Sequence, residues 1–418
     1  MKKVLSIFLV AAMIFSIAAC GAKESEEPKD PKDVKLTVWV SAAGKQVEAL
    51  KAAVDSFAAE TGYTVEFSAP GETYEELLKT KMASKNLPDV FDTHGWSVAR
   101  YSEYLEPIND IEAAKYIDNQ IKPVITNKEG KMFALPLDMD ISGMVYNVDV
   151  LNEAGVDVDS IKTWADFEEA CKKVVAIGKT PIHMGGKNSF TIGWFYDRVA
   201  PSYYITDEKN SKADELKAGT FDENLWMEIS KKLDSWVSAG FLNKDCVSGE
   251  YTADVQSIAT NETAFLFYQN LAIPLAQGIN KDVKLGMMPL PSNSKDDEPS
   301  LIAGENVALG VWKDSKVKPQ AIELLNYLAK PEVAKTISEA TGNKPALSNV
   351  KVDLGMVQPY LDKYADVETF PYFDREYCPS GVWDVICATG QDVLAQKDGA
   401  IEGTAKQIKD AFAEKSSR

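Results

Sequence analysis

The chain has 418 residues, 45% of them hydrophobic and 10% aromatic, with 63 acidic against 45 basic side chains and a formal net charge of -18. Such acidity argues against nucleic acid or anionic lipid as partners of the folded part, because neutralising phosphates takes clustered Lys and Arg; it serves solubility instead. The length exceeds the roughly 250–300 residues at which one core stops growing, so two domains are expected.

Lys2 and Lys3 precede an apolar run over 4–19, and Ile17-Ala18-Ala19 lead straight into Cys20. A charged start, an apolar middle and a small-residue cleavage site predict an export signal over 1–20. The run is shorter than the roughly 20 residues of a membrane span; an uncleaved N-terminal anchor is the bland alternative. A cysteine in first mature position points to a lipid-modified thiol, so the folded part is expected to work tethered outside the cytoplasm. Residues 21–33 (GAKESEEPKDPKD) are charged and broken by Pro28 and Pro31. They read as a disordered tether with a reach on the order of 20 Å.

Strand and helix patterns then alternate. Residues 34–40 (VKLTVWV) are β-branched and alternating. In 45–61, Val47, Leu50, Val54 and Phe57 recur at helical spacing, with Gly62 in the stop position. A strand over 63–67, a helix over 72–84 and a short strand over 89–91 lead to His94, Gly95 and Trp96. This β-α-β-α-β order predicts a mainly parallel sheet flanked by helices. Further strands are expected at 133–137 and 144–147. Thr163 followed by Asp166 has the form of an N-terminal cap for a helix ending at 177. A strand over 181–184 ends at Gly185-Gly186, and 222–239 is helical with Leu225, Ile229, Leu233 and Trp236 on one face. Strands are expected at 263–268, 283–287 and 306–311. Pro319 and Pro331 each open a helix, and the tail from Val382 is helical.

Candidate chemistry is sparse. Cys171 lies on the apolar stripe of its helix and reads as a buried, inert thiol. Cys246, Cys378 and Cys387 lack the spacing of a metal site, and a bridge between Cys378 and Cys387 stays open. Two histidines, His94 and His183, stand far apart, which argues against a His-based metal centre or triad. No metal or cofactor is expected. Asp89 with Asp92, and Asp138 with Asp140, are carboxylate pairs, but glycoside hydrolysis needs two carboxyls at a fixed separation across one bond, which proximity in sequence does not establish. No G-x-S-x-G, H-E-x-x-H or phosphate-binding loop fingerprint is present. What recurs is an aromatic, amide or acidic residue after a strand: Trp96, Trp194, Tyr268-Gln269-Asn270, Glu305-Asn306, Phe373-Asp374-Arg375 and Trp383. Ligands bind outside the carboxyl ends of strands in open α/β sheets. Sugar C–H faces pack on aromatic rings, while sugar hydroxyls need planar polar partners.

Four motifs in order carry a resemblance. They are Leu87-Pro88-Asp89-Val90-Phe91; Phe133-Ala134-Leu135-Pro136 with Val145-Tyr146-Asn147; Thr163-Trp164-Ala165-Asp166-Phe167; and Gly178-Lys179-Thr180-Pro181-Ile182 with Gly185-Gly186-Lys187 and Trp194. Across essentially the whole mature chain they resemble extracellular solute-binding proteins of carbohydrate ABC importers, of the maltose- and multiple-sugar-binding lipoprotein type. The resemblance implies a two-lobed α/β fold of the type II periplasmic-binding-protein kind, with mainly parallel sheets and a hinge. Both lobes are then discontinuous, 34–145 with 305–350 and 146–304 with 351–418. It implies a monomer on the outer face of the cell membrane that clamps an oligosaccharide, hydrolyses nothing and hands its guest to permease subunits. Positions matching the family's contact regions are Ser41, Glu72, Tyr74, His94, Trp96, Asp138, Trp194, Asn270, Glu305, Asn306, Phe373, Asp374 and Trp383. The alternatives are the same scaffold holding a peptide or polyamine, and an anchored glycoside hydrolase.

Overall fold

The structure is a computed structural model that describes residues 30–416 apart from 43, 94, 97, 99 and 120; the side chains of 72, 123, 415 and 416 are also not described. The export signal, Cys20 and residues 21–29 of the tether therefore lie outside the described residues.

In chain order the elements that position the site are β1 (Lys35–Trp39), α1 (Gly44–Thr61), β2 (Thr64–Ser68), α2 (Tyr74–Ala83), β3 (Val90–Asp92), β4 (Leu135–Pro136), β5 (Asp138–Ser142) and β6 (Met144–Asn147). Next come α3 (Trp164–Ala176), β7 (Thr180–Ile182), α4 (Phe190–Val199), α5 (Glu223–Ser238), β8 (Thr263–Leu266), β9 (Leu285–Met288), β10 (Leu301–Glu305) and β11 (Ala308–Val311). The last are α6 (Lys318–Leu328), α7 (Pro331–Thr341), β12 (Lys344–Pro345), β13 (Thr369–Pro371), α8 (Phe373–Glu376), α9 (Val382–Leu394) and α10 (Ala400–Ser416).

Local chemistry explains the boundaries. α3 starts at a capping box: the Asp166 amide donates to Thr163 Oγ1 at 3.2 Å while the Thr163 amide donates to Asp166 Oδ2 at 2.9 Å. Its Trp164, Phe167, Cys171 and Val174 face inward at helical spacing. In β1 the alternation places Leu36 and Val38 in the core and leaves Lys35 exposed.

Three sheets form, ordered β2-β1-β3-β11-β4, β7-β8-β6-β9 and β12-β5-β10-β13. Parallel pairing holds for β1 with β2 and β3, for β7 with β8, and for β10 with β13. The pairs β10–β5, β11–β3, β11–β4, β12–β5, β6–β8 and β6–β9 are antiparallel, so the sheets are more mixed than the βα order predicts. The reason is that later segments return to sheets begun earlier, as β11 does beside β3.

The third sheet brings together strands distant in sequence and touches the two largest apolar clusters. Alternate residues of β10 feed different cores: Leu301 and Ala303 join the cluster around Leu36, Val38 and Phe57, whereas Ile302 joins the one around Trp164, Trp226 and Phe265. The expected lobe boundary at 145/146 falls inside β6, which pairs wholly within the second sheet. Cys378 and Cys387 are buried free thiols, so the bridge left open between them does not form, and Cys171 is buried as expected. Among the described residues no helix is long and apolar enough to cross a membrane, and no group of three His, Cys, Asp or Glu could hold a metal ion.

Candidate functional site

Strands β1 and β3 run parallel and end side by side, so the residues just beyond them meet. Ser41 donates its hydroxyl to Asp92 Oδ2 at 2.6 Å, and the Ala308 amide donates to Oδ1 at 3.2 Å. Tyr74, at the start of α2, is buried and donates to the Asp92 carbonyl at 2.5 Å. Burial, and then the Asp92 charge, push that phenol well above its ordinary value, which keeps it a neutral donor. Trp96 follows, half-buried, with the Arg100 guanidinium 4.3 Å from its ring centroid. Arg100 is itself fixed by Glu75 Oε2 at 2.8 Å, an oxygen that also accepts from the Tyr101 hydroxyl at 3.0 Å. The indole is thus oriented by a cation that is held in place.

Arg375 of α8 ties this wall to the third sheet. Its guanidinium lies 4.4 Å from the Tyr372 ring and 5.5 Å from the Trp96 ring, and it donates to the Glu305 carbonyl at 2.7 Å. The fit is tight: a Cβ on Gly95 would sit 2.5 Å from Arg375 Nη1, and one on Gly304 would sit 2.9 Å from it. Carboxyls of Glu305, Asp374 and Asp197 surround the guanidinium. The Asp374 amide donates to Asp197 Oδ1 at 3.0 Å. Burial raises both aspartates, and the Asp197 charge adds to the rise at Asp374. Tyr372 donates to Asp140 Oδ2 and Ser142 to Asp140 Oδ1, the latter at 2.7 Å.

A second wall comes from α4 and the end of β8. Trp194 is half-buried, its ring 4.5 Å from Tyr268 and 5.0 Å from Phe190. One helical turn later Arg198 donates Nη1 to the Trp194 carbonyl at 3.3 Å, and its charge reaches Asp197 and Tyr372. Asn270 donates its amide to the Ile141 carbonyl of β5. Across the mouth, Lys79 of α2 and Asp384 of α9 approach to 4.0 Å, an exposed pair of small energetic weight.

Five buried polar atoms in this cluster have no hydrogen-bond partner: both carboxyl oxygens of Glu305, Asn270 Oδ1, and Arg198 Nε and Nη2. An unmade buried hydrogen bond costs about 1–3 kcal/mol, so a native fold rarely keeps several together without a use for them. Burial drives the Glu305 carboxyl from the ordinary 4.5 up to about 7; Arg375 and its own amide pull it down, while Asp92 and Glu376 push it further up. Elsewhere, the two roomiest of the described crevices are one of about 620 Å³ beside Ile141, Leu301 and Lys344 and one of about 450 Å³ beside Asp159, Lys162 and Asp297. No residue lining either has an unpartnered buried polar atom.

The profile of bacterial extracellular solute-binding proteins matches residues 43–335. The chain belongs to that family. It is 30% identical over 406 residues to the melibiose/raffinose/stachyose-binding protein MelE of Bacillus subtilis, covering 95% of this chain and 94% of that one. A Bacillus licheniformis sugar transporter crystallised with stachyose superposes with a TM-score of 0.82 at 30% identity, over 92% of this chain and 100% of that one. A putative binding protein of Bacillus subtilis in an open conformation superposes with a TM-score of 0.83 at 28% identity, over 93% and 99% of the two chains.

Within this solute-binding fold, the structure gathers most of the residues that sequence singles out. Ser41 and Tyr74 converge on Asp92; Trp96, Glu305 and Asp374 surround Arg375; Trp194 and Asn270 form the second wall. Trp383 packs on that wall, since a Cβ on Gly193 would come within 2.5 Å of its ring. Three of the expected positions are engaged elsewhere in the fold. Phe373 is 1% exposed and packs among Tyr204, Trp226 and Tyr377, because α8 turns that side chain into the aromatic core. Asp138 is fully buried in the third sheet, its oxygens taken by the Val307 amide at 2.9 Å, Asn343 at 3.0 Å and Asn306 at 3.2 Å. Asn306 is drawn with it into that bracket. His94 and the side chain of Glu72 lie outside the described residues. Sequence reasoning misses Arg198, Asp197 and Tyr372, weighs Asp92 and Asp140 only as members of carboxylate pairs, and names Arg375 beside Asp374 without placing it among the contact positions. The available signal is the Asp197-Arg198 pair inside the apolar run FTIGWFYDRV, where burying two charges demands a reason.

Proposed function

We propose that this chain captures oligosaccharides of the melibiose, raffinose and stachyose kind outside the cell and hands them intact to the permease subunits of an ABC importer. The single observation that carries this reading is the set of five unpartnered polar atoms on Glu305, Asn270 and Arg198 beside two half-buried tryptophans. A sugar hydroxyl both donates and accepts, so one guest can give to Glu305 and Asn270 and take from Arg198. Its C–H faces suit the rings of Trp96 and Trp194. A polyamine would leave the Arg198 N–H groups unanswered, because an ammonium has no acceptor. Relatedness to MelE and to the stachyose complex supports the choice of guest.

In this reading Trp96, Trp194, Asn270, Glu305 and Arg198 touch the sugar. Ser41, Tyr74, Asp92, Asp374, Arg375 and Trp383 position them. The lobes divide as 34–143 with 306–350, and 144–300 with 351–416, the third sheet lying between them as the hinge. Cys20 carries the lipid that holds this monomer at the membrane. The chain turns over no bond.

Thermal unfolding of the full chain with melibiose, raffinose, stachyose or spermidine tests this. A bound sugar at a hundred times its Kd adds about 2.7 kcal/mol of stability. Stabilisation by raffinose or stachyose, with unchanged sugar recovered, is the expected result. Stabilisation by spermidine alone, or release of monosaccharides, overturns it.

A further inference from the structure

Glu305 closes β10, which lies inside the hinge sheet between β5 and β13. It is fully buried, and no other described residue hydrogen-bonds either carboxyl oxygen; its own amide alone pulls on the group in that way. Its charged neighbours come from each element packed around it. Arg375 of α8 spends its Nη1 on the Glu305 carbonyl rather than on the carboxyl group. Glu376 of α8 and Asp92 of β3 add negative charge, and Asp374 and Asp197 share the field of Arg375. Asp140 of β5 is occupied by Ser142 and Tyr372. Burial of the charged form outweighs the pull of Arg375 and of the Glu305 amide, and Asp92 and Glu376 add to it, so the empty site favours the protonated acid. A sugar hydroxyl donated to the same oxygens reverses that preference, because hydrogen bonds to the charged form stabilise it.

We propose that Glu305 holds a proton in the empty site and gives it up when an oligosaccharide hydroxyl bonds to its carboxylate, so that sugar capture releases a proton. This rests on the oligosaccharide reading above. The Glu305 O–H bond breaks and its proton goes to bulk water, while the sugar keeps its own hydroxyl proton and changes no covalent bond. A neutral sugar does not titrate, so the pH dependence of affinity belongs to the protein. With burial lifting the free carboxyl to about 7, affinity rises as pH rises through neutrality and levels off above it.

Calorimetric titration of the full chain with raffinose, in phosphate and in Tris at pH 7, counts protons from the difference in observed heats. About half a proton per raffinose is expected, since about half of the free sites are protonated at that pH. Affinity should fall at least about tenfold between pH 8.5 and pH 5.5. Glu305→Gln should bind more weakly, exchange no proton and show a flat pH profile. Glu305→Asp should keep proton release but move the midpoint, which identifies the source even if the amide variant does not fold. Raffinose binding without proton exchange overturns the proposal, as does undiminished release from Glu305→Gln, which would assign the proton to the Asp197–Asp374 pair. Failure of raffinose and stachyose to bind at any pH would instead overturn the oligosaccharide reading.

Discussion

The strongest consequence of the site needs no sugar. Glu305 is raised in the folded protein from the ordinary 4.5 to about 7, chiefly by burial. The fold therefore favours the protonated acid, and this contribution to stability is fully present below pH 4.5 and lost as pH rises through about 7. At about 1.4 kcal/mol per pH unit, the change from 4.5 to about 7 removes about 3 kcal/mol by pH 8. That is a large fraction of the 5–15 kcal/mol typical of native proteins. Glu305→Gln keeps the shape and has no proton to lose. Urea unfolding of both proteins at pH 5, 6, 7 and 8 should show the variant gaining on the parent by about 2–3 kcal/mol across that range. Asp138, Asp197 and Asp374, also raised by burial, are common to both proteins and cancel in the difference. Parallel stability curves would refute the reasoning, because they would mean that water or a donor already reaches the Glu305 oxygens.

Three further outcomes follow from the packing. Gly95 has φ +89° and lies against Arg375, so Gly95→Ala adds about 1–2 kcal/mol of backbone strain and pushes the guanidinium off Trp96; it should lower both the melting temperature and raffinose affinity. Phe373→Ala should cost about 3–5 kcal/mol of stability in urea while leaving the raffinose affinity of the folded fraction near the parent value, as expected of a core ring. Thr163→Ala removes one half of the α3 capping box and should cost about 1 kcal/mol by the same measurement, with no change in sugar affinity.

Features set by neighbours in sequence were legible. The α1 stripe of Leu50, Val54 and Phe57, the Thr163 cap and the two proline-led helices α6 and α7 follow from spacing alone. β5 was not legible, because DMDIS is buried on both faces and carries its aspartates inward, so no apolar alternation marks it as a strand. The strand expected over 306–311 is β11, over 308–311, whereas β10 over 301–305 was not expected; the two are separated where Asn306 and Val307 bond to Asp138. Trp194 follows the Gly185-Gly186 turn and sits on a helix, where Gly193 leaves the space of its missing Cβ to the Trp383 ring. Phe373 and Trp96 look alike in sequence, each an aromatic near a strand end, and only the turn of α8 separates core from cleft. Arg198 and Arg375 are recognisable as site residues only once the carboxyls of Asp197, Asp374 and Glu305 are placed around them.

The division of the cluster between hinge and walls leads to a kinetic prediction. Glu305, Asp140 and Ser142 sit on strands of the third sheet, which under the proposed lobe division is the hinge and would move least on closure. Trp96 packs on the apolar cluster of Tyr74, Leu78 and Phe91, and Trp194 on that of Val255, Leu266 and Tyr268, so under the proposed lobe division the two rings stand on opposite lobes. A guest can therefore meet the hinge groups first and both rings only after closure. Contacts completed late govern escape, so Trp194→Ala should leave the association rate near the parent value and speed dissociation. An aromatic contact of about 0.5–1.5 kcal/mol corresponds to about a threefold to tenfold faster release. Stopped-flow fluorescence with raffinose, read from the remaining tryptophans, measures both rates. An unchanged dissociation rate with a lowered melting temperature would place the Trp194 ring in the core with Tyr268 and Phe190 and remove it from the sugar's path.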